Sequence, residues 1–340
     1  MPNVSVVIAL FNKAAYIKRA IESILCQTKL PQEIIVVDDG STDGGGEIVK
    51  QYNDSRIILL RQENQGVSIA RNNGVNEAQG ELMAFLDADD AWKPRFLEVI
   101  LHLKQKFPQA GAFATGYEVI DLDGNKIIPQ FDALPRGIKE GLLPNYIKAS
   151  MAAMHTRSVW PPLWTSALAV SKKVLLEIGG FPPGERLAQD LDTWLRIALR
   201  YPIAWSEELL STYHQDAENR TAGIKMIDHE PALCRTVRRV IQEDPDSVNN
   251  IIDLWEYGAY FQVQSAGYCL WQGKRQQALQ LLEYSKGTEF SAQLWRKYHW
   301  LALLPAAVPR TYFQTRQVLK KSALLTAAVR RVKQWCGLYQ

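Results

Sequence analysis

Hydrophobic residues in the first 120 positions occur in short runs separated by amphipathic segments. Five runs rich in β-branched residues predict strands, and the segments between them repeat apolar positions at helical spacing. This alternation predicts an α/β domain with a mostly parallel sheet covered by helices. The predicted strands are 4–10, 33–39, 56–62, 81–87 and 111–121. The predicted helices are 15–27, 45–53, 67–78 and 94–107.

The pattern is less regular after the fifth predicted strand. Asp123-Gly124-Asn125 predicts a hairpin turn. The stretch from Arg136 to Pro162 is rich in Pro, Met and Trp, and predicts a loop or lid region. A strand over Trp164–Val170, a short helix capped by Ser171 and a helix from about Gln189 to Arg200 are expected to follow.

Helical patterns fill the chain after about Ala222. The stretch Tyr257–Glu283 is similar to one helix-turn-helix unit of the tetratricopeptide kind, and the absence of a second copy argues against a repeat array. We therefore expect a catalytic α/β domain over residues 1–222 and an all-α C-terminal region over residues 223–340 with a basic tail.

Composition and charge narrow the class of protein. The chain has 340 residues, is 47% hydrophobic and carries a formal net charge of +3, which excludes disordered, collagen-like and coiled-coil proteins. Nine of its 39 Lys and Arg residues follow Glu289, the last of its 36 acidic residues. The tail therefore carries +9 and the body about −6, which suggests that the tail meets an anionic partner.

Cysteine spacing and hydropathy predict the compartment. The four cysteines lie far apart without a C-x-x-C pair, which indicates a reducing compartment and neither a zinc site nor a disulfide framework. No run of 18 apolar residues predicts a spanning helix, and the apolar opening lacks the features of a signal peptide. We therefore expect a cytoplasmic protein, peripheral on the inner face of the cytoplasmic membrane if its tail binds lipid.

The most informative motif is FLDADD, residues 85–90, at the end of the fourth predicted strand. In an extended chain Asp87 and Asp89 project to the same side, and the small Ala88 between them leaves space for a ligand. Two carboxylates at the carboxyl edge of an open α/β sheet suit a hard divalent cation that also holds substrate phosphates. An acidic turn without chemistry is the alternative that this motif alone leaves open.

Two further motifs place polar groups near the same edge. In EIIVVDDGSTD an apolar strand delivers Asp38 and Asp39, of which Asp39 is a candidate to accept a hydrogen bond from a base or ribose. In NQGVSIARNNGVNEAQGE, Arg71 carries a planar, charged guanidinium group whose N–H donors suit a diphosphate. The alternatives are a turn-forming aspartate and a solvated helix-surface arginine.

The motif QDLDTWLRIALR provides a candidate general base. Asp192 has Arg196 four residues on as a ready surface ion pair. Asp190 has no such partner and lies in the first turn, where the helix dipole favours its ionised form. Asp190 is therefore the candidate base, with N-terminal capping as the alternative.

In this order the four motifs resemble the family 2 glycosyltransferases of the GT-A fold. The resemblance covers roughly residues 3–215, from SVVIALFN and AIESILCQT through VVDDGSTD, NQGVSIARN and GELMAFLDADDAWKP to GGF, QDLDTWLR and YHQ. It implies a Rossmann-like sheet flanked by helices. It also implies an inverting, metal-dependent transfer of a sugar from a nucleoside diphosphate, with a UDP-sugar as the expected donor. The expected acceptor is a hydroxyl of a glycan or lipid-linked oligosaccharide in cell-surface polysaccharide biosynthesis.

The resemblance also implies residue roles on the donor side. The base pocket would be lined by Ala9, where the family usually has proline, and by Phe11, where tyrosine is frequent. Asp39 would bond the base, Arg71 would hold the nucleotide and Asp87 would approach the ribose. The expected nucleotide-sugar-binding residues are thus Ala9, Phe11, Asp39, Arg71, Asp87 and Ala88.

On the acceptor side, the resemblance makes Asp190 the base that deprotonates the acceptor hydroxyl. Asp89 and His214 would coordinate Mn²⁺ or Mg²⁺. Gln189 stands where the family has Glu, so the neighbour of the base lacks its charge. The Q-x-x-R-W motif of processive synthases is absent, and a single transfer per encounter is therefore expected.

Other classes of protein fit less well. A dehydrogenase or a sugar-nucleotide pyrophosphorylase would need a glycine-rich turn after the first strand, where this chain has ALFNKAAY. A noncatalytic nucleotide-sugar-binding or assembly module is the alternative from another class, although Asp87, Asp89 and Asp190 together argue against it. The basic tail is typical either of an interfacial amphipathic helix or of a helical cap on the catalytic domain. Without a recognised binding motif, nucleic acid is not an expected partner.

Overall fold

The computed structural model describes residues 3–129, 139–155, 161–185, 187–217, 229–244, 251–305 and 307–315. Residue contacts divide the chain into two compact units. The first comprises Met1–Ile224 and Arg235–Leu254, and the second comprises Lys225–Cys234 and Trp255–Gln340. The expected catalytic domain over residues 1–222 remains a prediction, as does its boundary with the C-terminal region.

A mixed sheet forms the centre of the first unit. Its described strands are β1 (Val4–Leu10), β2 (Glu33–Asp39), β3 (Ile57–Gln62), β4 (Leu82–Phe85), β5 (Ala91–Trp92), β6 (Ala112–Ile120), β7 (Lys126–Ile127), β8 (Glu140–Leu142), β9 (Leu168–Ser171) and β10 (Ile203–His214). The strand order is β3-β2-β1-β4-β9-β6-β10-β5, with β7 paired to β6 and β8 to β10. Strands β1 to β4, β6 and β10 run in one direction, so the sheet is mostly parallel as expected.

Helices of the first unit cover the sheet. The described helices of the whole chain are α1 (Ala14–Leu25), α2 (Gly45–Lys50), α3 (Val67–Glu77), α4 (Phe96–Lys106), α5 (Tyr146–His155), α6 (Lys172–Glu177), α7 (Gln189–Ala198), α8 (Ala232–Glu243), α9 (Ile251–Trp271), α10 (Arg275–Tyr284) and α11 (Ala292–Leu303). Every residue of β2 is buried, which explains its nearly continuous apolar sequence. No helix in the described part of the chain is long and apolar enough to cross a membrane.

Helix α3 approaches the sheet closely because of one glycine. A Cβ atom added to Gly74 would lie 2.5 Å from Cγ1 of Val7 on β1, a distance that real Cβ atoms do not reach. Glycine therefore allows the axis of α3 to lie against the sheet. Arg71, about one turn earlier on the same helix, is thereby held at the carboxyl edge of the strands.

The long, strongly patterned elements agree with the sequence predictions, including the Asp123-Gly124-Asn125 hairpin between β6 and β7. The irregular region from Arg136 to Pro162 was expected to be a loop or lid, and this is wrong for most of its described residues, because they form β8 and α5. Helix α5 forms there since its Tyr, Ile and Ala side chains provide a buried face.

Besides β8, two strands and one turn were not anticipated. Strand β10 pairs with β6 through register shifts near Leu209, and this irregularity conceals the period-two pattern in the sequence. The short β5 was also missed. The expected strand Trp164–Val170 is instead a 3₁₀ helix at Thr165–Ala167 followed by β9, because the 3₁₀ turn binds the end of the DADD motif.

The second unit contains a helix-turn-helix, as the sequence predicts. Helices α9 and α10 are joined by the turn 272–274, in which Gly273 has a φ of 79°. The apolar faces of α9, α10 and α11 share one core. Its buried residues are Val263, Ala266, Cys269, Leu270, Ala278, Leu281, Leu282, Tyr298, Leu301 and Ala302. Most of the basic tail, from residue 316 onward, lies outside the described residues.

Candidate active site

The carboxyl ends of β1, β2 and β4 meet at one edge of the sheet and deliver Phe11, Asp39 and the DADD turn to the same place. Strand β1 lies between β2 and β4 in parallel register, with Leu10 opposite Asp38 and Val7 opposite Phe85. Parallel neighbours end on the same side of a sheet, which is where open α/β folds bind ligands.

Asp87 and Arg71 form an ion pair at this edge. Arg71 Nη2 donates to Asp87 Oδ1 at 2.6 Å, and the guanidinium carbon lies 5.2 Å from the centre of the Phe181 ring. The Arg71 side chain is only 5% exposed, yet its Nη1 has no hydrogen-bond partner among the described residues. A buried guanidinium N–H without an acceptor fits an anionic ligand that arrives at this edge.

Asp89 lies in a turn and not in an extended strand. Strand β4 ends at Phe85, and the amide of Asp90 donates to the carbonyl of Asp87 at 3.0 Å. The expectation that Asp87 and Asp89 project to one side of a strand is therefore wrong, because the chain turns after Leu86. Burial raises the pKa of Asp89, and the charge of Asp87 raises it further, so the two carboxylates remain close enough to interact.

Lys13 is the principal charged partner of Asp89. Its Nζ lies 2.7 Å from Asp89 Oδ2, and both side chains are largely buried. Arg19 adds a second cation by donating to the backbone carbonyl of Asp89. The position therefore already attracts positive charge, and its oxygen donors are those that Mg²⁺ or Mn²⁺ prefer.

Asp90 is completely buried and fully hydrogen-bonded. Its Oδ2 accepts from Ser166 Oγ at 2.6 Å and from Trp164 Nε1 at 3.0 Å, and its Oδ1 accepts from the amide of His214 at 3.1 Å. Burial and the charges of Asp89 and Asp87 raise the pKa of Asp90 well above its ordinary value. This carboxyl group joins the end of β4 to the 3₁₀ turn and to the end of β10.

Asp190 lies at the start of α7, beside the Arg71–Asp87 pair. Thr165 Oγ1 donates to Asp190 Oδ2 at 3.3 Å, and the amide of Leu191 donates to Oδ1 at 2.8 Å. Burial raises the pKa of Asp190, while nearby Arg71 lowers it and Asp87 raises it further. The structure thus brings the candidate base into the electrostatic neighbourhood of two candidate donor-binding residues.

Asp39 organises a loop at this edge. Its buried carboxylate accepts from Gln62 Nε2 at 2.7 Å and from the amides of Gln65 and Gly66 at 2.8 and 2.9 Å. Gly66, with a φ of 90°, immediately precedes α3. Asp39 therefore fixes the start of the helix that carries Arg71, and its contact with a base stays a prediction.

The other expected nucleotide-binding residues differ in accessibility. Phe11 is 45% exposed at the end of β1, so its ring is available to a ligand. Ala9 is half-buried within β1. The side chain of Ala88 is 3% exposed and packs in the hydrophobic core, so any contact with a nucleotide sugar would be made by its backbone.

His214 lies next to the DADD turn through its amide, but its imidazole has other charged neighbours. Burial and Arg19 lower the pKa of His214, whereas Asp216 and Glu118 oppose this shift. Within the described ranges, no group of three or more His, Cys, Asp or Glu side chains is arranged to hold a metal ion. Joint metal binding by Asp89 and His214 stays a prediction.

Asp192, the second aspartate of α7, has a structural role different from the one expected. Its side chain is 2% exposed, accepts from Arg196 Nε at 2.8 Å and also accepts from Thr236 Oγ1 at 2.6 Å. The pair with Arg196 is therefore buried and not on the surface, because α7 is covered on this side. Gln189 is also buried, and its Oε1 has no hydrogen-bond partner among the described residues.

The structure places Arg71, Asp87 and Asp190 together, with Asp89 beside Asp87 and with Phe11 and Asp39 on neighbouring strand ends. The sequence pattern singles out neither Lys13 nor the positions of Trp164 and Ser166. Lys13 follows the first strand by three residues, which was the available signal. The contacts of Trp164 and Ser166 depend on a 3₁₀ turn that the pattern did not predict.

Comparison with known proteins identifies the family. A model described as Glycosyl transferase family 2 matches residues 5–158. The putative teichuronic acid biosynthesis glycosyltransferase TuaG of Bacillus subtilis is 34% identical over 217 residues, which cover 62% of this chain and 79% of TuaG. The chain belongs to glycosyl transferase family 2. An uncharacterized glycosyltransferase of Nostoc is 36% identical over 53% of this chain, and the match spans about half (54%) of that protein.

Solved structures confirm the fold of this family 2 glycosyltransferase. S. aureus TarS, residues 1–349 in complex with UDP-GlcNAc, superposes with a TM-score of 0.68 over 93% of this chain and 91% of that chain. The two sequences are 16% identical, so the likeness concerns the fold alone. The GT-A fold and the helical C-terminal region expected from the sequence are confirmed.

Proposed function

We propose that the chain is an inverting, non-processive and metal-dependent glycosyltransferase. It transfers a sugar from a nucleoside diphosphate, with a UDP-sugar as donor, to a hydroxyl of a glycan or lipid-linked oligosaccharide in cell-surface polysaccharide biosynthesis. The observation that carries this proposal is the placement of Asp190 beside the Arg71–Asp87 ion pair. The complexes of TarS with UDP-GlcNAc and UDP, and the teichuronic acid role in the name of TuaG, support the choice of substrates.

The proposed reaction needs a base next to the donor. The acceptor oxygen attacks the anomeric carbon and transfers its proton to Asp190, while the nucleoside diphosphate leaves with the electron pair of the broken bond. Burial supports the role of Asp190, since a carboxylate with a raised pKa holds a proton better. Thr165 and the amide of Leu191 fix the orientation of the carboxylate.

In this proposal, Arg71 binds the leaving diphosphate. Its Nη2 pairs with Asp87, and its buried Nη1 remains available to a phosphate oxygen. A cation held in a buried position by a neighbouring carboxylate is preorganised for charge that develops on the leaving group. Phe11, at the same edge, presents an exposed ring on which a base can stack.

The carboxylates of the DADD turn fit a divalent cation. Asp89 would hold Mn²⁺ or Mg²⁺ with Asp87 close by, because both supply hard oxygen donors. When bound, such an ion supplies positive charge to the diphosphate. Binding requires the Lys13 ammonium to leave Asp89 Oδ2, where it lies at 2.7 Å. His214 remains in the proposed set as a residue at the end of β10.

A donor screen with product analysis tests the function. The purified chain is incubated with UDP-, dTDP- and GDP-sugars, Mn²⁺ and an undecaprenyl-linked or oligosaccharide acceptor. Transfer with inverted anomeric configuration by NMR, lost in Asp190→Asn and retained in the surface variant Glu22→Gln, is the expected result. If UDP binds but neither sugar transfer nor donor hydrolysis is detected, the result would instead favour the noncatalytic module.

The basic tail adds a proposal about location. Nine cations follow Glu289, together with Leu, Trp and Tyr, and this composition supports binding to an anionic membrane surface on the cytoplasmic side. We expect cosedimentation with vesicles that contain phosphatidylglycerol, weakened by salt. The matched variant replaces Lys320, Lys321, Arg330 and Arg331 by Gln. Equal binding of this variant would favour a tail that packs on the protein.

A further inference from the structure

Asp90 takes no part in the proposed chemistry, yet it is the most deeply buried carboxyl group of the DADD turn. Its side chain has no solvent exposure, and three donors from two other segments converge on it. Burying a carboxyl group is costly unless it is fully hydrogen-bonded. An apolar residue could not accept these three hydrogen bonds, so the carboxyl group of Asp90 has a specific role at this position.

Ser166 connects Asp90 to the donor-binding end of β4. The Ser166 hydroxyl accepts from the amide of Asp87 at 3.1 Å and donates to Asp90 Oδ2 at 2.6 Å. The Ser166 carbonyl accepts from Trp92 Nε1 at 2.6 Å. Trp164, on the other side of Thr165, donates to the same oxygen of Asp90. Both neighbours of Thr165 are thus bound to one carboxyl group.

Thr165 itself contacts the candidate base. Its hydroxyl donates to Asp190 Oδ2 at 3.3 Å, and its side chain is buried. A continuous path of hydrogen bonds and backbone therefore runs from Asp87 through Ser166 and Thr165 to Asp190. Asp90 closes the path by holding residues 164 and 166 together.

We propose that Asp90 is a positioning residue that, through the turn Trp164–Ser166, sets the place of the base Asp190 relative to the donor-binding Asp87. The inference rests on the proposed function of Asp190. It assigns a role to the fourth residue of the DADD motif that neither metal binding nor ribose binding explains. The side chain of Asp90 suits this role because its two oxygens accept all three bonds, whereas an amide in either orientation would place its NH₂ group against the N–H of Trp164 or of His214.

The test compares Asp90→Asn, Thr165→Val and their double variant. Thr165→Val removes the hydroxyl bond to Asp190 without touching Asp90. Because that bond lowers the pKa of Asp190, its loss raises this pKa. The acid limb of the plot of kcat against pH therefore moves to higher pH. Arg71 and Asp87, the other charged groups that face Asp190, are unchanged in all three variants.

We expect Asp90→Asn to lower kcat about 100-fold, with an unchanged Kd for UDP by calorimetry, and to move the acid limb in the same direction as Thr165→Val. The double variant should show no further displacement of that limb, since both changes act through one contact. Additive displacements, or an unchanged kcat in Asp90→Asn, would overturn the proposal. Trp164→Phe, which removes one donor and keeps an aromatic ring, replaces Asp90→Asn if the latter does not fold.

A structural measurement separates this inference from the proposed function. If the wild-type protein transfers no sugar, the proposed function fails, and kinetics cannot test Asp90. A crystal structure of Asp90→Asn then decides the matter. The inference requires Thr165 Oγ1 to move away from Asp190 Oδ2, and retention of the 3.3 Å contact would overturn it.

Discussion

Two aspartates on one helix, Asp190 and Asp192, should respond to substitution in opposite ways. Asp192→Ala removes a carboxylate that is 2% exposed and that binds both Arg196 and Thr236. Asp190→Asn removes a charge that burial already disfavours. We therefore expect the first variant to lose stability and the second to lose activity without losing stability.

The magnitude for Asp192 follows from what its removal leaves behind. Arg196 is 12% exposed and would lose the only carboxylate partner that it has among the described residues, although its hydrogen bonds to the carbonyls of Ile178 and Gly180 would remain. Removing one member of a buried ion pair costs about 3–5 kcal/mol. The two remaining carbonyl contacts place the expected loss at the lower end, about 3 kcal/mol.

Urea unfolding, followed by circular dichroism and tryptophan fluorescence, measures this loss. With an m-value of about 3 kcal/mol/M, the midpoint of the first unit should fall by about 1 M in Asp192→Ala. The double variant Asp192→Ala with Arg196→Met removes the orphaned charge and should recover part of the loss. A midpoint equal to that of the wild type, or a double variant no more stable than Asp192→Ala, would refute the reasoning.

The substitution of Asp190 should change the free energy of unfolding in the opposite direction. Burial raises the pKa of Asp190, so the folded state binds its proton more tightly than the unfolded state. Its contribution to the free energy of unfolding therefore falls as pH rises from the unfolded-state pKa, about 3.9, through the folded-state pKa. At neutral pH, Asp190→Asn removes this penalty, and its midpoint should equal or exceed that of the wild type. A midpoint loss as large as that of Asp192→Ala would show that Asp190 is structural.

Three further predictions concern the binding edge and the packing behind it. Phe11→Ala should weaken UDP binding by about 1–3 kcal/mol in calorimetry, whereas the control Phe11→Tyr should bind UDP like the wild type. Equal affinity of the wild type and both variants would exclude base stacking on Phe11. Lys13→Met should lower the Kd for Mn²⁺ about tenfold because the ammonium no longer competes for Asp89, and an unchanged Kd in titration calorimetry would contradict this. Gly74→Ala should lower the free energy of unfolding in urea by about 1–3 kcal/mol, because its Cβ would meet Val7 Cγ1. Adding Val7→Ala should recover part of this loss. A single variant as stable as the wild type would refute the close approach.

The sequence by itself determined the parallel strands β1 to β4 and the helices α1 to α4 that accompany them. Strands such as Val4–Leu10 and Glu33–Asp39 were predicted with their observed bounds, since central strands covered on both faces need continuous apolar runs. Helix α1 was equally clear, because its buried residues recur at helical spacing. The parallel strands then require that Phe11, Asp39 and the DADD turn share one edge of the sheet.

Only the tertiary structure decided which polar groups meet. The contacts of Asp90 with Ser166 and of Thr165 with Asp190 join residues far apart in the chain, and local pattern carries no information about such pairs. The same limit explains the error at Asp192, whose spacing to Arg196 is that of an ordinary surface pair. Spacing along a helix fixes which side chains are neighbours, whereas burial depends on what packs over them. The sequence therefore determines where the carboxylates enter the site, and packing determines their charge and their partners.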